Sequence, residues 1–162
     1  MGEPVIVRHA LSAEIPVLAR LWYDGWQDAH AAIVPAELAR RRTLVSFAER
    51  LAGMLDDARV AGPPGAPLGL CIIKHEELDQ LYVSPAARGT GIAAALVGDA
   101  EQRLAARGIE RAWLACAIGN ARAARFYKKC GWTLAGTVVN RLETIAGPFD
   151  LEVWRYEKHL RP

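Results

Sequence analysis

Within YVSPAARGTGIAAALV (residues 82–97), a strand-like end gives way to an apolar helical run through Arg88, Gly89, Thr90, Gly91, Ile92 and Ala93. Gly89 and Gly91 allow positive φ and close backbone approach, and Ala93 keeps the first helical turn narrow. Orphan amides at a helix start carry partial positive charge, and Arg88 adds a planar fork of donors. The chemistry this suits is the holding of a pyrophosphate. The spacing is not the dinucleotide G-x-G-x-x-G, and no Lys-Ser/Thr pair closes it as in a nucleoside-triphosphate loop. A phosphate ligand of another kind is needed.

A second group follows in NARAARFYKKCGW (residues 120–132), where Asn120 is a natural N-cap, Gly131 a natural terminator and Tyr127 a phenol inside a short helix. A third lies earlier: Glu76, Glu77 and Asp79 at the start of a strand-like run, after His75. On a regular strand Glu77 and Asp79 share one side. His75, alone near a strand end, reads as a surface residue.

The elements that position these groups can be read from periodicity. VIVRHA (residues 5–10) is a first strand, and Ser12 is the expected N-cap of a helix carrying Ile15, Leu18, Leu21 and Trp22, with Pro16 in its first turn. Further helices begin near Pro35 and after Thr43, the latter with Leu44, Phe47, Leu51 and Leu55 at helical spacing. Strand-like ARVAG and APLGLCIIKH flank the breaker GPPG, and EELDQLYV is the next strand. Ile92, Leu96, Ala100 and Leu104 then keep helical spacing until Gly108. RAWLACA is another strand, and WTLAGTVV and DLEVWRYEKHL are the last two, joined by an irregular NRLETIAGPF. Helices, then a meander, then alternating strands and helices describe an α/β or α+β mixed sheet with helices on its faces.

With 162 residues, the chain is sized for one domain with a self-sufficient core. Charged residues at 23% and apolar ones at 52% argue against disorder. A net charge of +2 with scattered basic residues does not imply nucleic acid. Cys71, Cys116 and Cys130 form neither an even set nor a close pair, which disfavours a disulfide framework or zinc knuckle and suits a reducing cytoplasm. No secretory or membrane-spanning pattern is visible, so a membrane partner is not expected.

The order of the two motifs resembles the GNAT superfamily of N-acetyltransferases. Arg88, Gly91 and Ala93 fill the places of its Gln/Arg-x-x-Gly-x-Gly/Ala acyl-coenzyme A motif. Asn120, Ala123, Phe126, Tyr127, Gly131 and Trp132 match its second signature. The resemblance spans most of the chain and implies a single N-acetyltransferase domain over residues 1–162. Its sheet would be mixed and mostly antiparallel, with a central parallel pair, residues 78–83 and 111–116, splayed around the cofactor. Acetyl-coenzyme A would be the co-substrate, with no metal.

The roles follow by resemblance. Main-chain groups near Leu81, Tyr82 and Val83 would bond the pantetheine arm, and amides from Arg88 through Gly89, Thr90, Gly91 and Ile92 to Ala93 would hold the pyrophosphate. Asn120, with Ala123 and Phe126 on the same helix, would lie along the pantetheine region. Tyr127 would point to the thioester sulfur and protonate the departing thiolate, and Glu77 matches a glutamate that serves some relatives as base. General acid–base chemistry wants such a pair. Cys116 reads as a small buried hydrophobe rather than a nucleophile, and Arg40-Arg41-Arg42 as a solvated helix end.

The acceptor expected from the resemblance is a primary amine of a small molecule or peptide. Trp22, Tyr23 and Trp26, with Asp24, Asp28 and Glu143, suggest a groove for a cationic amine; the two tryptophans, four apart, equally describe one core-facing stripe. The alternative to an enzyme is a non-catalytic acyl-coenzyme A-binding sensor or regulatory module. A homodimer through the late strands is compatible with the sequence, which fixes no oligomeric state.

Overall fold

The computed structural model describes residues 4–160. Seven strands form one sheet in the order β1-β2-β3-β4-β5-β7-β6: β1 (Val7–His9), β2 (Ala58–Ala61), β3 (Gly69–Lys74), β4 (Glu77–Val83), β5 (Arg111–Ala117), β6 (Thr133–Thr144) and β7 (Gly147–His159). Neighbours pair antiparallel except β4 and β5, which are parallel because helix α4 (Ile92–Ala106) crosses between them. The buried β3 run shows why helices cover both faces. Its Leu70 and Ile72 pack with Leu18, Trp22, Phe47 and Leu51 of α1 (Ile15–His30) and α3 (Leu44–Met54). Cys71 and Ile73 pack on the other side with Leu96, Val97 and Leu104 of α4 and with Tyr127 of α5 (Ala121–Lys129). α4 sits close enough to β3 that a Cβ on Gly69 would lie 2.7 Å from Ile92 and 2.8 Å from Leu96.

Local signals set most boundaries. The Thr43 hydroxyl accepts from the Ser46 amide to start α3, and the Asn120 side chain accepts from Ala123 to start α5. Pro35 precedes the short α2 (Ala36–Arg41). Ser12 does not cap α1 as expected; it opens a 3₁₀ turn, Ser12–Glu14, that leads into the helix. The organiser there is Glu14, 2% exposed, whose carboxylate takes a two-pronged bond from Arg8 (2.9 and 2.7 Å) and the amides of Leu11 (2.9 Å) and Gly65 (3.1 Å).

The stretch expected to be irregular between the last strands is a long hairpin, paired from Asn140↔Leu151 to Thr144↔Gly147. Its Leu142, Phe149 and Leu151 pack onto the α1–α3 core, while Asn140, Arg141 and Glu143 between them hid the apolar alternation from a composition-led reading.

Candidate active site

The parallel pair is joined only at its start: Glu77 is opposite Trp113, and the Trp113 amide donates to the Glu76 carbonyl at 3.3 Å. Beyond that point β5 continues to pair with β7 as far as Ala117↔Val153, while β4 continues on β3 as far as Val83↔Gly69. The facing edges of β4 and β5 therefore diverge and carry unpaired peptide groups. These suit an extended amide-bearing ligand added as a strand.

At the far end of β4 the chain turns through Pro85–Ala87 into α4. Gly89 (φ 78°) and Gly91 (φ 86°) both lie in the left-handed region, and a Cβ on either would meet nothing within 4 Å. Backbone conformation, not crowding, calls for glycine there. The Arg88 and Thr90 amides are used inside the turn, donating to Pro85 and Ala87 at 3.3 Å each. The first amides of the 15-residue helix, from Gly91 through Ile92 and Ala93, have no intrahelical acceptor. Arg88 is fixed from below by Asp28 of α1 at 3.2 Å, which also pairs with Arg122 of α5 at 3.3 Å. Arg122 and then Arg88 hold the Asp28 carboxyl below its ordinary range.

Between the splayed strands, α1, α3 and the β6–β7 hairpin lies a cavity of about 310 Å³. It gathers Glu77, Leu81, Tyr82, Asn120, Ala123 and Tyr127 of the residues expected at the site. Val83 and Phe126 instead pack into the α4-side core, and Arg88–Ala93 lie outside the cavity. The Asn120 side-chain carbonyl is occupied as the cap of α5 (3.3 Å to the Ala123 amide).

Glu77 and Asp79 line the cavity together, as alternation through Leu78 predicts, but alternation breaks beyond Asp79. The β3–β4 ladder passes from Ile72↔Gln80 to Ile73↔Leu78, so Asp79 is a bulged residue without a partner. The phase of alternation changes there: Leu78 faces the α4-side core, and so do Leu81 and Val83. Burial, and then the neighbouring Asp79 charge, push Glu77 up to about 8. Burial also raises Asp79, against the pull of Arg50.

Tyr127 sits with its ring 5.6 Å from Phe126, 6.4 Å from Tyr156 and 6.5 Å from Trp132. Burial raises its phenol well above the ordinary value, so it keeps its proton at any working pH. Cys116 borders the same cavity, but burial lifts its thiol to about 11; a thiol so protonated is a poor nucleophile. His75 occupies the β3–β4 turn at φ 55°.

The expected amine groove is corrected on several points. Trp22 is fully buried against Phe47, whereas Trp26 does reach the cavity. Asp24 is exposed and paired with Arg20 (3.2 Å), and Asp28 is held by its two arginines, so neither acid faces the cavity; Glu143 does. Arg42, expected in solvent, is 4% exposed and lines the cavity. Arg50 and His30 also line it and were not singled out. Arg50 could have been found, because it stands on the apolar stripe of α3 beside Phe47 and Leu51. His30 bonds the Trp26 carbonyl (3.2 Å), and burial lowers it to about 4, leaving it neutral at pH 7.

The sheet opens at its one parallel pair, with a glycine turn and helix start at the end of β4 and the buried titratable groups Glu77 and Tyr127 on the cavity between the strands. The Acetyltransferase (GNAT) family model matches residues 17–132. An uncharacterized N-acetyltransferase of Mycobacterium tuberculosis is 35% identical over 117 residues, covering 69% of this chain and 72% of the relative. A GCN5-related N-acetyltransferase from Rhodopseudomonas palustris superposes with a TM-score of 0.75 at 22% identity, over 98% of this chain and 97% of that one. A PaiA N-acetyltransferase from Thermoplasma acidophilum, in complex with coenzyme A, gives 0.66 at 18% identity, over 97% and 99%. The chain belongs to the GNAT family and is an acetyl-coenzyme A-dependent acetyltransferase. Among the described residues, no helix is long and apolar enough to cross a membrane and no His/Cys/Asp/Glu group could hold a metal ion.

Proposed function

We propose that this enzyme transfers the acetyl group of acetyl-coenzyme A to the primary amine of a small molecule or peptide by direct attack. The observation that carries the proposal is the placing of Glu77 and Tyr127 on one cavity beside the unpaired edges of β4 and β5. In this reading the pantetheine arm lies along Leu81–Val83, and its pyrophosphate meets the Gly91–Ala93 amides and Arg88. The coenzyme A bound by the Thermoplasma neighbour supports coenzyme A as the ligand of this fold. The amine nitrogen bonds to the acetyl carbon while the carbon–sulfur bond breaks. The amine proton passes to Glu77, directly or through one water, and the thiolate takes its proton from Tyr127. Backbone amides of the opened β4 edge stabilise the developing oxyanion.

A buried carboxylate near 8 is a stronger base than an exposed one once ionised, and a phenol that stays protonated is a ready donor. The three free cysteines suit a cytoplasmic setting. A homodimer through the β6–β7 hairpin, where Val139 and Ile145 are exposed, can be checked by light scattering. The function is tested by calorimetry with acetyl-coenzyme A and by thiol release across a panel of amines. One-to-one binding with amine-dependent release is expected. No binding at millimolar ligand would overturn it, and binding without release on any acceptor would favour a sensor.

A further inference from the structure

Two cavity arginines have no task in acetyl transfer. Arg42, at the end of α2, is 4% exposed, and its Nη1 donates to the Glu143 carbonyl at 2.8 Å. Arg50 lies over the Trp22 ring at 4.5 Å and the Phe47 ring at 5.5 Å, with no hydrogen bond or ion pair among the described residues. Among the described residues neither guanidinium has a carboxylate within salt-bridge distance, whereas Arg8, Arg41, Arg88, Arg103 and Arg107 all do. The two are near enough that the Arg50 charge, after burial, helps lower Arg42 to about 10. Asp79, whose charge acts on both, forms no ion pair with either guanidinium among the described residues, and burial holds its carboxyl above the usual range. Arg141 and Lys74 add cations to the same lining, so its carboxylates are outnumbered. Two desolvated like charges with no carboxylate in direct contact are unfavourable, and an anion entering the cavity would relieve both.

We propose that Arg42 and Arg50 form an anion subsite, and that the acceptor is a small zwitterion of amino-acid size, a primary amine carrying a carboxylate or similar oxyanion. This rests on the acetyltransferase reading and refines its acceptor. The amine lies towards Glu77 and Asp79, and the oxyanion takes the planar donors of the arginines. Arg50 is pre-ordered by its stacking on Trp22, so little side-chain freedom is lost when it binds. A cavity of about 310 Å³ accommodates such a molecule.

The test compares amino acids with their carboxamides and with the amines left by removing the carboxylate, by thiol release with saturating acetyl-coenzyme A. A charged hydrogen-bond pair predicts kcat/KM higher for the amino acid by about 10–100-fold. In Arg50→Gln that preference falls to near unity, Arg50→Lys recovers part of it, and calorimetric affinity for acetyl-coenzyme A is unchanged. Should the Arg50 variants unfold, the wild-type preference decides alone. Wild-type turnover of carboxamides or plain amines equal to that of amino acids, or of peptides alone, overturns the subsite and leaves the acetyltransferase standing. Absence of acetyl-coenzyme A binding instead removes the underlying reading.

Discussion

Replacing Glu77 by Gln separates its proposed role as base from every other role of the cavity. Burial is the larger cause of its raised pKa and the Asp79 charge the next, together giving about 8. At pH 7 only about a tenth of the free enzyme then carries the ionised base, and at pH 6 about a hundredth. The wild-type kcat/KM should rise about tenfold per pH unit up to about 8 and then flatten with respect to this group. An acceptor amine titrates as well, so one limb is not diagnostic by itself. Asp79→Asn resolves the two, because it lowers the pKa of Glu77 and moves its limb to lower pH while the amine stays put. In Glu77→Gln the Glu77 limb disappears and the plateau falls by about 10²–10⁴-fold. Stability supplies a second reading with a definite sign. A carboxyl raised from 4.5 to about 8 binds a proton in the folded state that the unfolded state has released. Folding is thus undisturbed by this group below pH 4.5 and loses stability as pH rises through 8, by at most about 5 kcal/mol. Urea melts at pH 9 should show Glu77→Gln more stable than wild type, with the difference closing by pH 5. A Glu77→Gln pH–rate profile that merely scales the wild-type curve, or an Asp79→Asn limb that stays in place, would refute the base assignment.

Tyr127→Phe keeps the packed ring and removes the donor, so kcat should fall by about 10–1000-fold in single-turnover assays with acetyl-coenzyme A affinity unchanged. Gly91→Val forces a branched residue to φ 86°, so the turn must distort; calorimetry should show acetyl-coenzyme A binding weakened at least about tenfold. Glu14, held at about 2 by the Arg8 bond first, stabilises the fold above pH 4.5 and loses that contribution as pH falls towards 2. Glu14→Gln should therefore destabilise the neutral protein by about 3 kcal/mol in chemical melts, and the difference should shrink in acid.

Much of the fold was legible because its boundaries are written locally. Thr43, Asn120 and Gly91 mark helix starts whatever surrounds them, and β3 announces itself by a run apolar enough to be buried on both faces. The exceptions are where distant parts supply the reason. Glu14 organises the entry to α1 only because Arg8 and Gly65 arrive from other segments. The β6–β7 hairpin pairs residues as polar as Arg141 and Asp150, and only the α1–α3 core beneath Leu142 and Phe149 explains its register.

The site divides along the same line, with one further step. Motif order singled out Tyr127 and the Gly91 turn, and regular alternation placed Asp79 beside Glu77 correctly, but alternation carried on past Asp79 misplaces the rest of β4. A continuous strand would turn Tyr82 to the face opposite Glu77, yet both line the cavity. The bulge at Asp79 is what reconciles them: the extra residue lets β4 keep Leu78, Leu81 and Val83 in the α4-side core while presenting Glu77, Asp79 and Tyr82 to the site. The same defect leaves Asp79 free of a ladder partner and near enough to raise Glu77. Register irregularity and the Asp79 share of the basicity therefore come from one residue: removing it should restore regular alternation and lower the Glu77 pKa, while the larger share due to burial stays.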